Sequence, residues 1–200
     1  MRDAITQKEL DKALLDAARN NSRNEAARLI AAGARVAVAD GSGWRPLHFA
    51  AAYGHKDVAK LLVARGAPVD IAARSCWQPL HLAALNGHVE VAMILLDAGA
   101  DADAVDSVQR RPLHLAAANG QGRVVKLLLL HGADPLARNH DGKTPRAVCR
   151  NGRTRALLLK AEREWKGPDA RKGEAFAEAL AAIRARQRKL GGLRPKGPSL

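Results

Sequence analysis

The phrase Pro46-Leu47-His48-Phe49 returns as Pro79-Leu80-His81-Leu82 and as Pro112-Leu113-His114-Leu115, and a decayed copy opens at Pro145. Each proline stands 33 residues after the last. The glycines Gly33, Gly66, Gly99 and Gly132 keep the same step, each followed by alanine. Self-similarity at a fixed period of this length marks a stacked array of small structural units rather than one globular core.

Working outward, each unit reads as two helices. Proline fits the first helical position, where its missing N–H is no loss. The apolar run Leu47, Phe49, Ala50, Ala51 continues a short helix that Gly54 ends. Val58, Leu61 and Leu62 share one face of a second helix, about 56 to 64, which Gly66 stops in the left-handed conformation. Residues 67–78 read as an extended, turn-rich connection. Val89, Val91, Ile94, Leu95 and Leu96, then Val124, Val125, Leu127 and Leu128, fill the equivalent second helices. Leu10, Leu14, Leu15, Ala17 and Ala18, followed by Ala26, Ala27, Leu29 and Ile30, give a worn first copy, with an Asn20-Asn21 turn between its helices.

The stretches Arg45-Pro46-Leu47-His48-Phe49-Ala50-Ala51 with Tyr53-Gly54-His55, and Pro79-Leu80-His81-Leu82-Ala83-Ala84 with Asn86-Gly87-His88, closely resemble the ankyrin repeat. Asp101 and Asp134 complete its closing Gly-Ala-Asp element. The resemblance covers about residues 10–163. It implies an all-α repeat solenoid: helix-turn-helix pairs joined by β-hairpin-like loops, about five repeats including two divergent caps. Their bounds are about 10–41, 42–74, 75–106, 107–139 and 140–163, after an N-terminal extension 1–9. The fifth, with Arg146-Ala147-Val148 in place of Leu-His-Leu, resembles a C-terminal cap. A basic tail, 164–200, follows, with an amphipathic helix expected over about 169–190.

Two departures from the family pattern stand out. The threonine before proline, whose hydroxyl caps the helix, survives only at Thr144; Arg45, Gln78 and Arg111 replace it, each at an expected cost of about 0.5–2 kcal/mol. The turn glycine three residues before proline is kept at Gly43 and Gly142 but becomes Cys76 and Gln109. Those two turns are expected to be strained or differently shaped.

Composition narrows the function. Apolar residues make up 47% of the chain and aromatics 3%, so burial rests on Ala, Leu, Val and Ile. Two cysteines, Cys76 and Cys149, give neither a disulfide framework nor a zinc site. Cys149 occupies a small-residue position that predicts burial; Cys76, in a turn, is expected to be exposed. No apolar leader or membrane-length run is present, and the expectation is a cytoplasmic protein. Residues 1–142 carry 17 Lys+Arg against 15 Asp+Glu, and residues 143–200 carry 16 against 5, so the net charge of +13 is concentrated in the last quarter. Arg184, Arg186, Arg188 and Lys189 form a weak nuclear-targeting or nucleic-acid pattern there.

No catalytic constellation is legible, and neither a cofactor nor a metal is implied. His48, His81 and His114 repeat at a spacing on the order of 10 Å, too wide for shared coordination at about 2 Å. Each is expected to bond backbone near its turn. The resemblance implies a non-enzymatic, monomeric scaffold or adaptor that binds a protein on the concave face made by hairpin tips and first helices. The tip position two before proline reads Trp44, Trp77, Arg110 and Lys143, and the first helices end in Tyr53, Leu85-Asn86 and Asn119. Trp, Tyr and Arg are the usual interface anchors. With Arg74 and Arg111 added, that face reads apolar at its N-terminal half and basic at its C-terminal half, matching a segment with an apolar anchor and acidic residues. The alternative is electrostatic binding of nucleic acid or an anionic membrane through residues 143–200.

Overall fold

The computed structural model describes residues 6–165 and 167, and within them ten helices follow one another in pairs. The pairs are α1 (Gln7–Arg19) with α2 (Arg23–Ala31), α3 (Pro46–Tyr53) with α4 (Lys56–Ala64), α5 (Pro79–Asn86) with α6 (Val89–Asp97), α7 (Pro112–Ala118) with α8 (Gly122–Leu130), and α9 (Pro145–Val148) with α10 (Gly152–Glu164). First helices pack on first helices and second on second, giving two rows. No strand occurs among the described residues, so the architecture is an all-α repeat solenoid. The tail helix expected over 169–190, with Arg184, Arg186, Arg188 and Lys189, lies outside the described residues.

The core repeats with the sequence. Leu47, Leu80 and Leu113 form one ladder, Val58, Val91 and Val124 a second, Leu62, Leu95 and Leu128 a third; none is more than 2% exposed. Ala50-Ala51, Ala83-Ala84 and Ala116-Ala117 are fully buried between them, which lets successive first helices approach closely. Burying each Leu contributes about 1.5–3 kcal/mol, realised only when the next repeat covers it.

The glycines ending α3 and α5 are needed twice over. Gly54 and Gly87 sit at φ 73° and 78°, and a Cβ there would run into His88 and Gln121 of the following repeat. Where the threonine is lost no side-chain cap bond replaces it, and the backbone bond of that first turn is the one Thr144 also makes, its carbonyl accepting from the Ala147 amide at 2.9 Å. The amide hydrogens of His48, His81 and His114 donate to the carbonyls of Arg45, Gln78 and Arg111 at 2.9–3.0 Å. Thr144 keeps its cap, accepting from the Ala147 amide at 3.3 Å.

The connections form closed turns. Asp40, Ala73, Asp106 and Asn139 each donate their amide to the carbonyl four residues on, that of Trp44, Trp77, Arg110 and Lys143. Neighbouring tips are tied in a row: the amides of Arg74, Ser107 and His140 donate to the carbonyls of Ser42, Ser75 and Val108. Three turns carry a side-chain acceptor six residues before proline. Asp40 Oδ1 accepts from Ser42 and Trp44, Asp106 Oδ1 from Val108 and Arg110, and Asn139 Oδ1 from Asp141 and Lys143. Ala73 supplies no such acceptor. That turn instead adopts a 3₁₀ segment, Arg74–Cys76, with Ser75 and Cys76 both left-handed at φ 66° and 58°. Gln109, also at 58°, occupies the left-handed position without glycine, as expected of both replaced turns.

The first repeat departs from the plan. Ala13 is the counterpart of Pro46, yet α1 starts six residues ahead of that register, inside the stretch expected to be an extension. Thr6 and Glu9 explain the start. The Glu9 amide donates to Thr6 Oγ1 at 3.3 Å and the Thr6 amide to Glu9 Oε2 at 2.8 Å, a reciprocal cap. Helix therefore stands where the inner repeats have a hairpin arm.

Candidate functional site

The residues singled out from sequence lie on two features, the hairpin tips and the ends of the first helices. What holds the tips is the histidine ladder. His48, His81 and His114 are at most 1% exposed. Each Nδ1 accepts the amide hydrogen of the residue before proline (Arg45, Gln78, Arg111) at 3.2–3.3 Å. Nε2 must then carry the proton, and it donates to the carbonyl of the next repeat's tip residue: Trp77 at 3.0 Å, Arg110 at 3.2 Å, Lys143 at 3.0 Å. Both ring nitrogens are engaged as the neutral form requires, and burial pushes the pKa down in all three, to about 4 for His48. The expected backbone role is what the geometry contains, and the tips Trp77, Arg110 and Lys143 are fixed by it.

Trp44 and Trp77 are half-buried rather than fully exposed. Trp44 lies against His48 and Phe49, with ring centroids 6.1 and 5.2 Å away, and Trp77 lies against His81 at 6.2 Å. The indoles thus shield the histidines of their own repeats. Among the described residues the largest exposed aromatic area belongs to Tyr53, 53% exposed and stacked on His55 at 5.8 Å. Leu85 is half-buried, and Asn86 and Asn119 are exposed. Their carboxamide nitrogens donate to the carbonyls of Ala52 and Leu115 at 3.0 and 2.9 Å.

The basic half of this face is less basic than its sequence. Arg110 pairs with buried Asp106 at 2.8 Å and sets its guanidinium 5.6 Å from the Trp77 ring centre. Arg111 lies 3.0 Å from Asp103 and 3.8 Å from Asp134. Arg74 and Lys143 remain exposed, with no ion pair among the described residues. Both cysteines are free, with Cys76 exposed and Cys149 buried. Among the described residues no three His, Cys, Asp or Glu side chains gather in a metal-binding group, and no helix is long and apolar enough to cross a membrane.

Sequence reasoning missed the ion pairs of Arg110 and Arg111 and also a groove at the first repeat. The extra length of α1 and the first connection border a groove of about 530 Å³, lined by Gln7, Lys8, Asp11, Lys12 and Leu15 from the helix and by Arg35, Val38, Ala39 and Asp40 from the connection. Asp11 anchors it. Its carboxylate is buried and accepts from the Arg35 amide, Nε and Nη2 at 2.8, 2.8 and 2.5 Å and from Gln7 at 3.0 Å. Burial would raise its pKa, but the Arg35 bonds outweigh that and hold it below the usual carboxylate value. The available signal was the Thr6-x-x-Glu9 spacing, which announces a helix start.

A family model described as ankyrin repeats in three copies matches residues 3–74 and 68–139. Curated proteins give no match to the chain.

Proposed function

The chain belongs to the ankyrin-repeat family, whose domains generally serve protein–protein interaction rather than catalysis, and from that premise we propose that it binds a protein segment across its hairpin tips and first-helix ends. The observation that carries this reading is the histidine ladder. By tying each tip carbonyl to the preceding repeat, it gives Trp77, Arg110 and Lys143 a rigid frame, so little ordering entropy opposes association on this side. Trp44, Trp77 and Tyr53 supply aromatic anchors, and Leu85, Asn86 and Asn119 the ground between. Arg110 acts mainly by flattening against Trp77 and Arg111 by joining neighbouring repeats, because both charges are already answered by aspartates.

The experiment is capture of proteins from extract on wild-type chain, on Tyr53→Ala and on Trp77→Ala, with thermal melts confirming the fold. A bound protein whose affinity drops by about 2 kcal/mol or more on Trp77→Ala, and falls also on Tyr53→Ala, fits the reading. Equal capture by folded variants removes these anchors from it.

A further inference from the structure

The groove between α1 and the first connection lies where helix takes the place of the hairpin arm found in the inner repeats. Its size falls within the range of about 300–1,000 Å³ typical of ligand sites and leaves room for a few residues of extended chain. Leu15 and Val38 are its more buried apolar members, and Ala39 continues the apolar lining.

Charge decides what fits. Asp11 is closed off by Arg35, and the Asp40 carboxylate is turned to the amides of Ser42 and Trp44. Lys8 and Lys12 stand one helical turn apart, exposed, with no ion pair among the described residues. Ammonium groups at i and i+4 on one helix face repel each other, and a carboxylate between or beside them relieves that. Lys8 and Lys12 therefore offer unpaired positive charge at this groove, as Arg74 and Lys143 do at the tips, whereas Arg110 and Arg111 are neutralised within the stack.

We propose that this groove is a docking subsite for an acidic-apolar peptide segment, an apolar side chain lying over Leu15 and Val38 and flanking carboxylates meeting Lys8 and Lys12. This deepens the proposed function and rests on it in one respect, that the partner is a polypeptide. It adds a site for acidic residues at the N-terminal end to the exposed Arg74 and Lys143 of the tips.

The test is an amide-resolved NMR titration of the ¹⁵N-labelled full chain with two capped synthetic tetrapeptides, acetyl-Glu-Leu-Asp-Phe-amide and its charge-reversed partner acetyl-Lys-Leu-Lys-Phe-amide. The acidic peptide should shift the amides of Lys8, Lys12, Leu15 and Val38, and the basic one should bind at least tenfold more weakly. Lys8→Glu with Lys12→Glu should reverse that preference, and Lys8→Arg with Lys12→Arg should keep it. Equal binding of both peptides, no shift in the groove, or shifts there caused by self-association of the unliganded chain would overturn the proposal. Shifts confined to Trp77, Tyr53 and Asn86 would overturn it too while leaving the wider interaction face standing.

Discussion

At the scale of the residue, the repeated histidine does with one ring what two side chains would otherwise do. It accepts a helix-start amide and donates to the next tip, and it does so only while neutral. In the folded chain the pKa is depressed by burial, to about 4 for His48, whereas the unfolded chain takes up a proton near 6.5. Between those values the unfolded state binds more protons, so stability is full above about pH 6.5 and falls as the pH drops toward 4. Denaturant unfolding should lose about 2 kcal/mol at pH 5 relative to pH 7.5 from His48 alone, with His81 and His114 shifted in the same direction. A flat profile over that range would contradict the burial of these histidines in the neutral form. Gln109 offers a second residue-scale test. A non-glycine residue in the left-handed region carries a strain of about 1–2 kcal/mol, partly offset in Gln109→Gly by lost backbone freedom. The variant should melt about 2–4 °C higher.

At the scale of the element, each connection solves its turn with what its sequence offers. Where Asp40, Asp106 or Asn139 supplies an acceptor the turn is regular, and where Ala73 does not it takes two left-handed residues. Acidic residues also link neighbouring connections. The Asp101 amide donates to Asp70 and the Asp134 amide to Asp103, 31 residues earlier in each case. The matching position to Asp101 one repeat back is Pro68, which has no amide hydrogen, and there the acceptor position is Ala37. The same translation carries Arg111, between Asp103 and Asp134, onto Gln78, whose Oε1 is buried with no hydrogen-bond partner. Gln78→Arg should set a guanidinium beside Asp70 and Asp101 and raise stability by about 0.2–1 kcal/mol in denaturant melts. Gly87→Ala should lower it by about 1–2 kcal/mol, through its φ of 78° and the approach of Gln121. The 33-residue period, the proline starts and the glycine stops made the inner helix pairs legible in the sequence, since those signals are local. The groove beside α1 was not, because it depends on a helix running past its repeat register. Nor was the neutralisation of Arg110 and Arg111, whose partners are set by the folding of loops rather than by helical spacing.

At the scale of the molecule, the described repeats make a frame in which every inner unit is bound to the next by core ladders, by tip-to-tip amides and by histidine. Interrupting that frame in the middle should cost more than at the end. His81→Ala removes both bonds of an inner ring and leaves the Gln78 amide and the Arg110 carbonyl without it, a loss of about 2–4 kcal/mol measured by chemical unfolding. Such a frame suits binding by a preset surface. The central claim is that the surface recognises a protein through aromatic and apolar contact, not through massed positive charge. The measurement that addresses it most directly is the affinity of the captured partner for the full chain at about 50 mM and 200 mM salt, with the bound species identified. Contact of the kind described predicts a protein ligand and a change of less than about tenfold. A nucleic-acid or lipid ligand whose affinity falls by about 10³ or more over that range, as release of counterions from several phosphates demands, would contradict it.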